Sequence, residues 1–398
     1  MTTAGGYPGQ TLLDLKDPAL GSFIDMARWM AAFMVMVGHL RNPLLLGYGD
    51  RPAADQTLAV KLWFFATGFH AEAVLVFFVL SGFLVGGMSV ARMARGQYHG
   101  WSYVIDRVSR LFIAFVPALL LTVLLDLAGA HWFGGSGIYD GTHPMIVQKV
   151  HGIAFADTLT LPVFFTNLFM LQTYFGPELG SNQPLWTLST EFWFYMVFAV
   201  AAAAALASGP KRIVFAAMAI TMSAVLGVDF ILWMGLWLIG LGLAFVHSPR
   251  LSRPLLATAA LGAWLAMLRV MDGWFDAHLS AKTAAHYVMA LLFAWLILSM
   301  RGRKVALFVA LARFNKVMAD FSFSLYLIHF PLIMFAIAAL GTLTGNPGFY
   351  AGFPATDPVG IATYVGLIVL ILLVSWAFSR ATEAHTARLR QALKRRFL

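Results

Sequence analysis

Ten apolar stretches, each close to the length of a bilayer crossing, dominate this chain at 22–46, 72–91, 111–129, 186–207, 213–228, 230–247, 254–271, 284–300, 320–341 and 360–379. A helix needs about 20 mostly apolar residues to cross a hydrocarbon core. Inside that core every backbone polar group must be bonded within the protein, which leaves helices and closed barrels. Unbroken blocks of this length exclude the short alternating segments of a barrel. With 60% of the 398 residues hydrophobic and 11% charged, lipid must be the solvent for most of the chain. The fold class is therefore all-α: a polytopic membrane protein of ten transmembrane helices.

Charge placement sets the expected topology. The stretch 153–175 is apolar and aromatic but is interrupted by Asp157, Pro162 and Asn167. If it does not span, and the N-terminus is cytoplasmic, only Arg41, Arg51, Lys61, Lys149, Arg269 and Lys282 of the 27 Lys and Arg fall outside. If it spans, every later loop flips and this bias collapses. Both termini are thus expected in the cytoplasm, with 1–20 a polar N-terminal segment that is not a cleavable signal peptide. The membrane domain covers 21–380. Within it, 130–185 is a long extracytoplasmic loop, partly re-entrant, rich in Gly, Pro and aromatics. The tail 381–398 reads as basic, helical and near anionic headgroups. No internal repeat of the kind that builds many transporters is evident.

The formal charge of +9 does not point to nucleic acid, because the basic residues cap apolar blocks and form no face for a groove. The absence of cysteine removes disulfides, thiolate metal sites and a cysteine acyl-enzyme. His70, Glu72, His131, Asp140 and His143 have no metal-like spacing, and no metal is expected.

Two stretches carry the chemistry. FIDMARWMAAFMVMVGHL holds Asp25, Arg28 and His39. Eleven residues bring a helix back to within about 20° of its starting face, so Arg28 and His39 share a face roughly 16 Å apart, with Asp25 one turn before Arg28. Charges in a membrane helix face a bundle interior or a wet cavity. The bland alternative is a snorkelling arginine and a histidine bonded to a neighbouring carbonyl. NQPLWTLSTEFWFYM at 182–196 places Glu191 about one turn into the fourth helix, at a depth expected to match His39, with Thr187 and Tyr195 one turn to either side. A carboxylate there is a candidate for proton transfer; the bland alternative pairs it with Arg41. Ser81, Gly82, Gly86 and Gly87 in FFVLSGFLVGG permit close approach of a second backbone or a ligand. Arg107 and Arg110 open the third helix and could hold phosphates or simply anchor it. His329, one turn from Ser324 and Tyr326 and followed by Pro331, reads first as a helix-packing histidine.

At these residues the sequence resembles the acyltransferase 3 family of integral membrane enzymes, over about 20–380. The motifs are the Arg-x10-His of Arg28 and His39, FFVLSGF at 77–83, and the R-x-x-R-L of Arg107 to Leu111 before Pro117. They continue with QPLW-x-L-S-x-E-F-W-F-Y at 183–195, which contains Trp186, Ser189, Glu191 and Tyr195, and S-x-S-L-Y-L-x-H-x-P at 322–331. The resemblance implies ten core helices, a cytoplasmic acyl-CoA donor such as acetyl-CoA, a glycan or glycolipid hydroxyl as acceptor, and a place in the cell inner membrane. His39 matches the family's essential histidine, Arg28 its paired arginine and Glu191 its fourth-helix glutamate. The chain departs from the family in having Leu75 and Val76 where an acidic residue is common, and Glu383-Ala-His where Glu-x-Pro is common. On this reading Arg28, Arg107 and Arg110 hold the anionic end of the donor. His39 takes the acceptor's proton or carries the acyl group, and Glu191 orients the imidazole or steers the sugar. A proton-coupled secondary transporter and a non-catalytic assembly partner are the rival classes.

Overall fold

The computed structural model describes residues 18–50, 56–149, 154–246, 251–303 and 305–398. Most of the N-terminal segment, Lys16, Arg51, Arg250 and Lys304 lie outside the described residues, so the charge tally is not tested at those positions. The elements in chain order are α1 (Pro18–Leu44), α2 (Leu58–Ala66), α3 (His70–Ser81), α4 (Met88–Ala94), α5 (Gly100–Phe133), α6 (Pro144–Lys149) and α7 (Leu161–Leu168). They continue as α8 (Leu185–Leu206), α9 (Pro210–Gly242), α10 (Pro254–Val270), α11 (Asp272–Ala277), α12 (Leu279–Met300), α13 (Ala306–Ala310) and α14 (Ala312–Asp320). The last are α15 (Ser322–Thr344), α16 (Gly348–Ala351), α17 (Pro358–Ala381) and α18 (Thr386–Phe397). Among the described residues there is no strand, only a single bridge between Leu45 and Phe353.

Eight of these helices or helical runs are long and apolar enough to cross a membrane. The difference from the ten apolar blocks has two sources. The blocks 213–228 and 230–247 fall in α9, a 33-residue element broken at Gly227, whose φ of 92° and ψ of 179° are non-helical and open essentially to glycine alone. A straight helix of that length would be roughly 50 Å long, well past a core of about 30 Å. The break divides it into arms 210–226 and 228–242. The block at 254–271 is α10, only 17 residues long. The chain is all-helical and polytopic.

Helix α1 is central, packing against α3, α14 and α15. Its own interior is buried at Ala31, Ala32, Val35, Met36 and Leu40. Leu255, Leu256, Ile213, Ile220, Leu370 and Leu373 on the outer helices stay exposed, as a lipid-facing surface requires. A close crossing lies between the π-helical stretch Gly82–Gly87, which continues α3, and the second arm of α9. A Cβ on Gly82 would sit 1.9 Å from the Trp237 carbonyl oxygen, and one on Gly240 would sit 2.0 Å from that of Val79. Of the two uses the glycines allowed, Gly82 serves backbone-to-backbone packing.

The segment after α5 folds back on the bundle through side-chain bonds to its own backbone. Helix α7 has 8 residues, too short to span. Asn167 donates to the carbonyls of Val163 and Pro177 and accepts from the Leu179 amide. Ser189 on α8 donates to the carbonyls of Met170 and Gln172, and Trp193 also donates to Met170. Ser189 is therefore a fastener of this segment. The basic tail is helical as expected, and it docks on the start of α5, where Asp106 takes Lys394 at 2.7 Å and Arg390 at 3.4 Å.

Candidate active site

Two cavities lie along α1. The one at its C-terminal half is about 500 Å³ and is lined by His39, Asn42, His70, Gln183, Pro184 and Trp186, with Thr173, Glu178 and Phe330. Gly38 lets the α2–α3 connection come close, since a Cβ there would be 3.0 Å from that of His70. This seats the His70 ring beside His39, with centroids 5.4 Å apart. The nearest polar partner of His39 is another imidazole: Nδ1 of His39 lies 2.9 Å from Nε2 of His329, and the two rings are within 14° of coplanar. Expected first as a packing residue, His329 is buried against His39.

Local sequence explains how His329 is held. Proline at 331 has no N–H, so the carbonyl of Leu327, four residues earlier, loses its helical donor. Asn182 at the entrance to α8 supplies one at 2.9 Å and also donates to Thr122 of α5. Next to it, Ser181 donates through its amide and hydroxyl to the buried Asp126 of α5, at 2.6 and 2.8 Å. Helices α5 and α15 are thereby tied together through the residues that lead into α8.

The second cavity, about 780 Å³, lies at the other half of α1 and is lined by Arg28, Arg107, Arg110 and Arg380 together with Glu191, Asp320 and Glu383. Glu383 is buried and accepts from Arg110 at 2.8 Å while its other oxygen accepts from the amide and hydroxyl of Ser324. Lys316 pairs with Asp320, and Asp25 lies 3.7 Å from Arg28. Arg107 is left facing the cavity with its Nε buried and, among the described residues, without a hydrogen-bond partner.

Glu191 lines this basic cavity and His39 the other. Glu191 accepts from Tyr195 at 2.5 Å. Tyr195 is 2.9 Å from Ser81, and Ser81 accepts from the Trp237 indole at 3.1 Å. Because the indole can only donate and a carboxylate can only accept, the hydroxyls between them all donate towards Glu191. Nor does Glu191 pair with Arg41, whose guanidinium is spent on the Phe64 carbonyl, Thr67 and Asn42.

Between the cavities stands a thin layer. The Tyr326 hydroxyl donates to the Pro184 carbonyl at 3.0 Å and lies 2.5 Å from Thr187. Tyr326 and Thr187 line the basic cavity, Pro184 and Trp186 the imidazole cavity. Of the residues singled out in the sequence, Arg28, Arg107, Arg110, Ser81, Glu191 and Tyr195 are gathered in one cavity and His39 and Trp186 in the other. Asp25 and Ser189 line neither. Sequence reasoning missed the placement of His70, Tyr326, Arg380 and Glu383. A signal existed for two of them, since Tyr326 stands in the same motif as His329 and Glu383 in the altered Glu-x-Pro.

No curated protein and no solved structure matches the chain. The family described as "Acyltransferase domain", acyltransferase 3, matches residues 22–380. Helices built to cross a bilayer, a partly buried imidazole on one cavity and an arginine-lined second cavity all accord with that match. The chain belongs to the acyltransferase 3 family and is a polytopic membrane acyltransferase.

Proposed function

We propose that the protein moves an acyl group, acetyl in the simplest case, from cytoplasmic acyl-CoA to a hydroxyl of a surface polysaccharide, glycolipid or related glycoside. In this reading it lies in the cell inner membrane with ten crossings, counting both arms of α9 and the short α10, and with both termini inside. The basic cavity then faces the cytoplasm and the imidazole cavity the opposite side. The observation that carries the proposal is the pairing of these two spaces on one helix: an arginine-lined cavity at Arg28 and an imidazole-lined cavity at His39, eleven residues or roughly 16 Å further along.

Arg107 and Arg28, which line the basic cavity, take the phosphates of the donor, while Arg110 is partly committed to Glu383. The pantetheine arm runs along α1 and passes the layer of Tyr326 and Thr187, which has to open for the thioester to reach His39. Trp186 offers an apolar ring face, and Asn42, Gln183 and Glu178 offer polar groups, the mixture a sugar ring uses. His39 takes the hydroxyl proton as the oxygen attacks the thioester carbonyl. The C–O bond forms, the C–S bond breaks, and the proton passes to the departing thiolate. Family membership sets the transporter reading aside.

The test is label transfer from radiolabelled acetyl-CoA in inverted membrane vesicles, with mass spectrometry of the glycans. His39→Ala should abolish transfer while the protein still inserts, and Arg107→Ala should raise the donor KM. Unchanged acylation with His39→Ala refutes the assignment.

A further inference from the structure

We infer that His329 is the positioning residue that sets the proton on His39, keeping it on Nδ1 and leaving the Nε2 lone pair for the reaction. The inference rests on His39 acting as the base in the transfer proposed above.

Carbonyl oxygens only accept. Nδ1 of His329 lies 2.8 Å from the Tyr326 carbonyl oxygen and 3.2 Å from that of Leu325, so Nδ1 carries a hydrogen. A neutral imidazole has one N–H, so Nε2 of His329 is an acceptor. That acceptor lies 2.9 Å from His39 Nδ1, in nearly coplanar rings, which is the geometry of an in-plane N–H···N bond. His39 must be the donor. Its own neutral form then has a bare Nε2, on the residue that lines the imidazole cavity beside His70 and Asn42.

His329 can impose this choice because it has no freedom of its own. It is fully buried, flanked by the rings of Tyr326 and Phe330, and its Nδ1 is tied to the helix that carries it. The turn bearing it is pinned by Asn182 on the Leu327 carbonyl. A ring flip would place Cδ2 against the two carbonyl oxygens and Cε1 against His39, so both sets of hydrogen bonds would be lost. When the acceptor's proton arrives on Nε2, His39 becomes an imidazolium whose Nδ1–H bond to His329 is charge-assisted. The proton then leaves from Nε2 to the thiolate, so His329 neither gains nor loses one. A neutral imidazole performs the orienting task that a carboxylate performs in the Ser-His-Asp triad.

The experiment is ring-¹⁵N histidine NMR of the purified full chain in nanodiscs, with the His39 signals identified as those lost in His39→Asn. The expected result is a protonated Nδ1 and an unprotonated Nε2 in the wild type. His329→Leu should give a mixture of both tautomers and a kcat about 10- to 100-fold lower with the donor KM unchanged. His329→Gln, whose amide oxygen can accept in place of Nε2, should recover most of the rate. A wild-type His39 protonated on Nε2 overturns the inference, as does wild-type turnover by His329→Leu. The tautomer is read without any turnover, so a failed transfer assay would remove the proposed function and leave this assignment standing.

Discussion

Gly82→Ala is expected to open the α3–α9 crossing and, through it, to weaken donor binding. The new Cβ would lie 1.9 Å from the Trp237 carbonyl oxygen and 3.0 Å from the Leu241 amide nitrogen, both backbone atoms that no rotamer change can move. Contacts of a Cβ below 3.0 Å essentially never occur, so the helices must part by about 1.1 Å. Over-packing of this kind costs about 1–3 kcal/mol. The same displacement stretches the 3.1 Å bond from Trp237 to Ser81 beyond about 3.5 Å, where it no longer counts as one. Ser81 and Tyr195 then lose their directed support of Glu191 in the basic cavity. A lost bond of this strength predicts a donor KM raised about 2- to 10-fold. The assay is thermal unfolding in detergent together with donor KM in vesicles. Gly262→Ala serves as the control, since a Cβ there meets no atom within 4 Å and helix propensity favours alanine by about 1 kcal/mol. Wild-type unfolding temperature and KM in Gly82→Ala would refute the reasoning.

Asn182→Leu should destabilise the protein by about 1–3 kcal/mol, because the carbonyl of Leu327 left open by Pro331 would have no donor; thermal unfolding measures it. Glu383→Gln should cost about 1–2 kcal/mol, with the half-exposed setting of Arg110 discounting the ion pair, and a Glu383→Gln, Arg110→Gln double variant should recover part of the loss. Burial lowers the pKa of His143, outside the bundle, from its ordinary 6.5. Its neutral form, bonded to the Phe349 carbonyl, is thus favoured by folding, and its contribution is complete above about pH 6.5 and fades as the pH falls below it. Limited proteolysis of the segment after α5 should therefore accelerate at pH 5 relative to pH 7.5, and the difference should shrink in His143→Gln.

Much of the architecture was legible because burial in lipid leaves few alternatives. Long apolar blocks must be helices, and α7 could be refused as a crossing because Asp157, Pro162 and Asn167 interrupt its surroundings. The shared face of Arg28 and His39 follows from helical geometry alone. The division between the apolar blocks 213–228 and 230–247 falls within two residues of the break in α9 at Gly227, but the sequence could not show that one backbone torsion, and not a loop, makes that break. Nor could it show which cavity Glu191 lines. Counting residues from a helix end measures depth along that helix, whereas its position against His39 depends on how α1 and α8 are offset and tilted.

By itself, then, the amino-acid sequence determined the solvent, the helices and the residue types available for acyl transfer, because transfer into hydrocarbon and helical periodicity are local properties of a chain. Only the tertiary structure decided which of those residues meet. The pairing of His39 with His329 joins positions 290 residues apart, and that of Arg110 with Glu383 joins positions 273 apart. Such contacts are set by helix crossings such as the Gly82–Gly240 approach, and no local pattern encodes which face of one helix will reach which face of another.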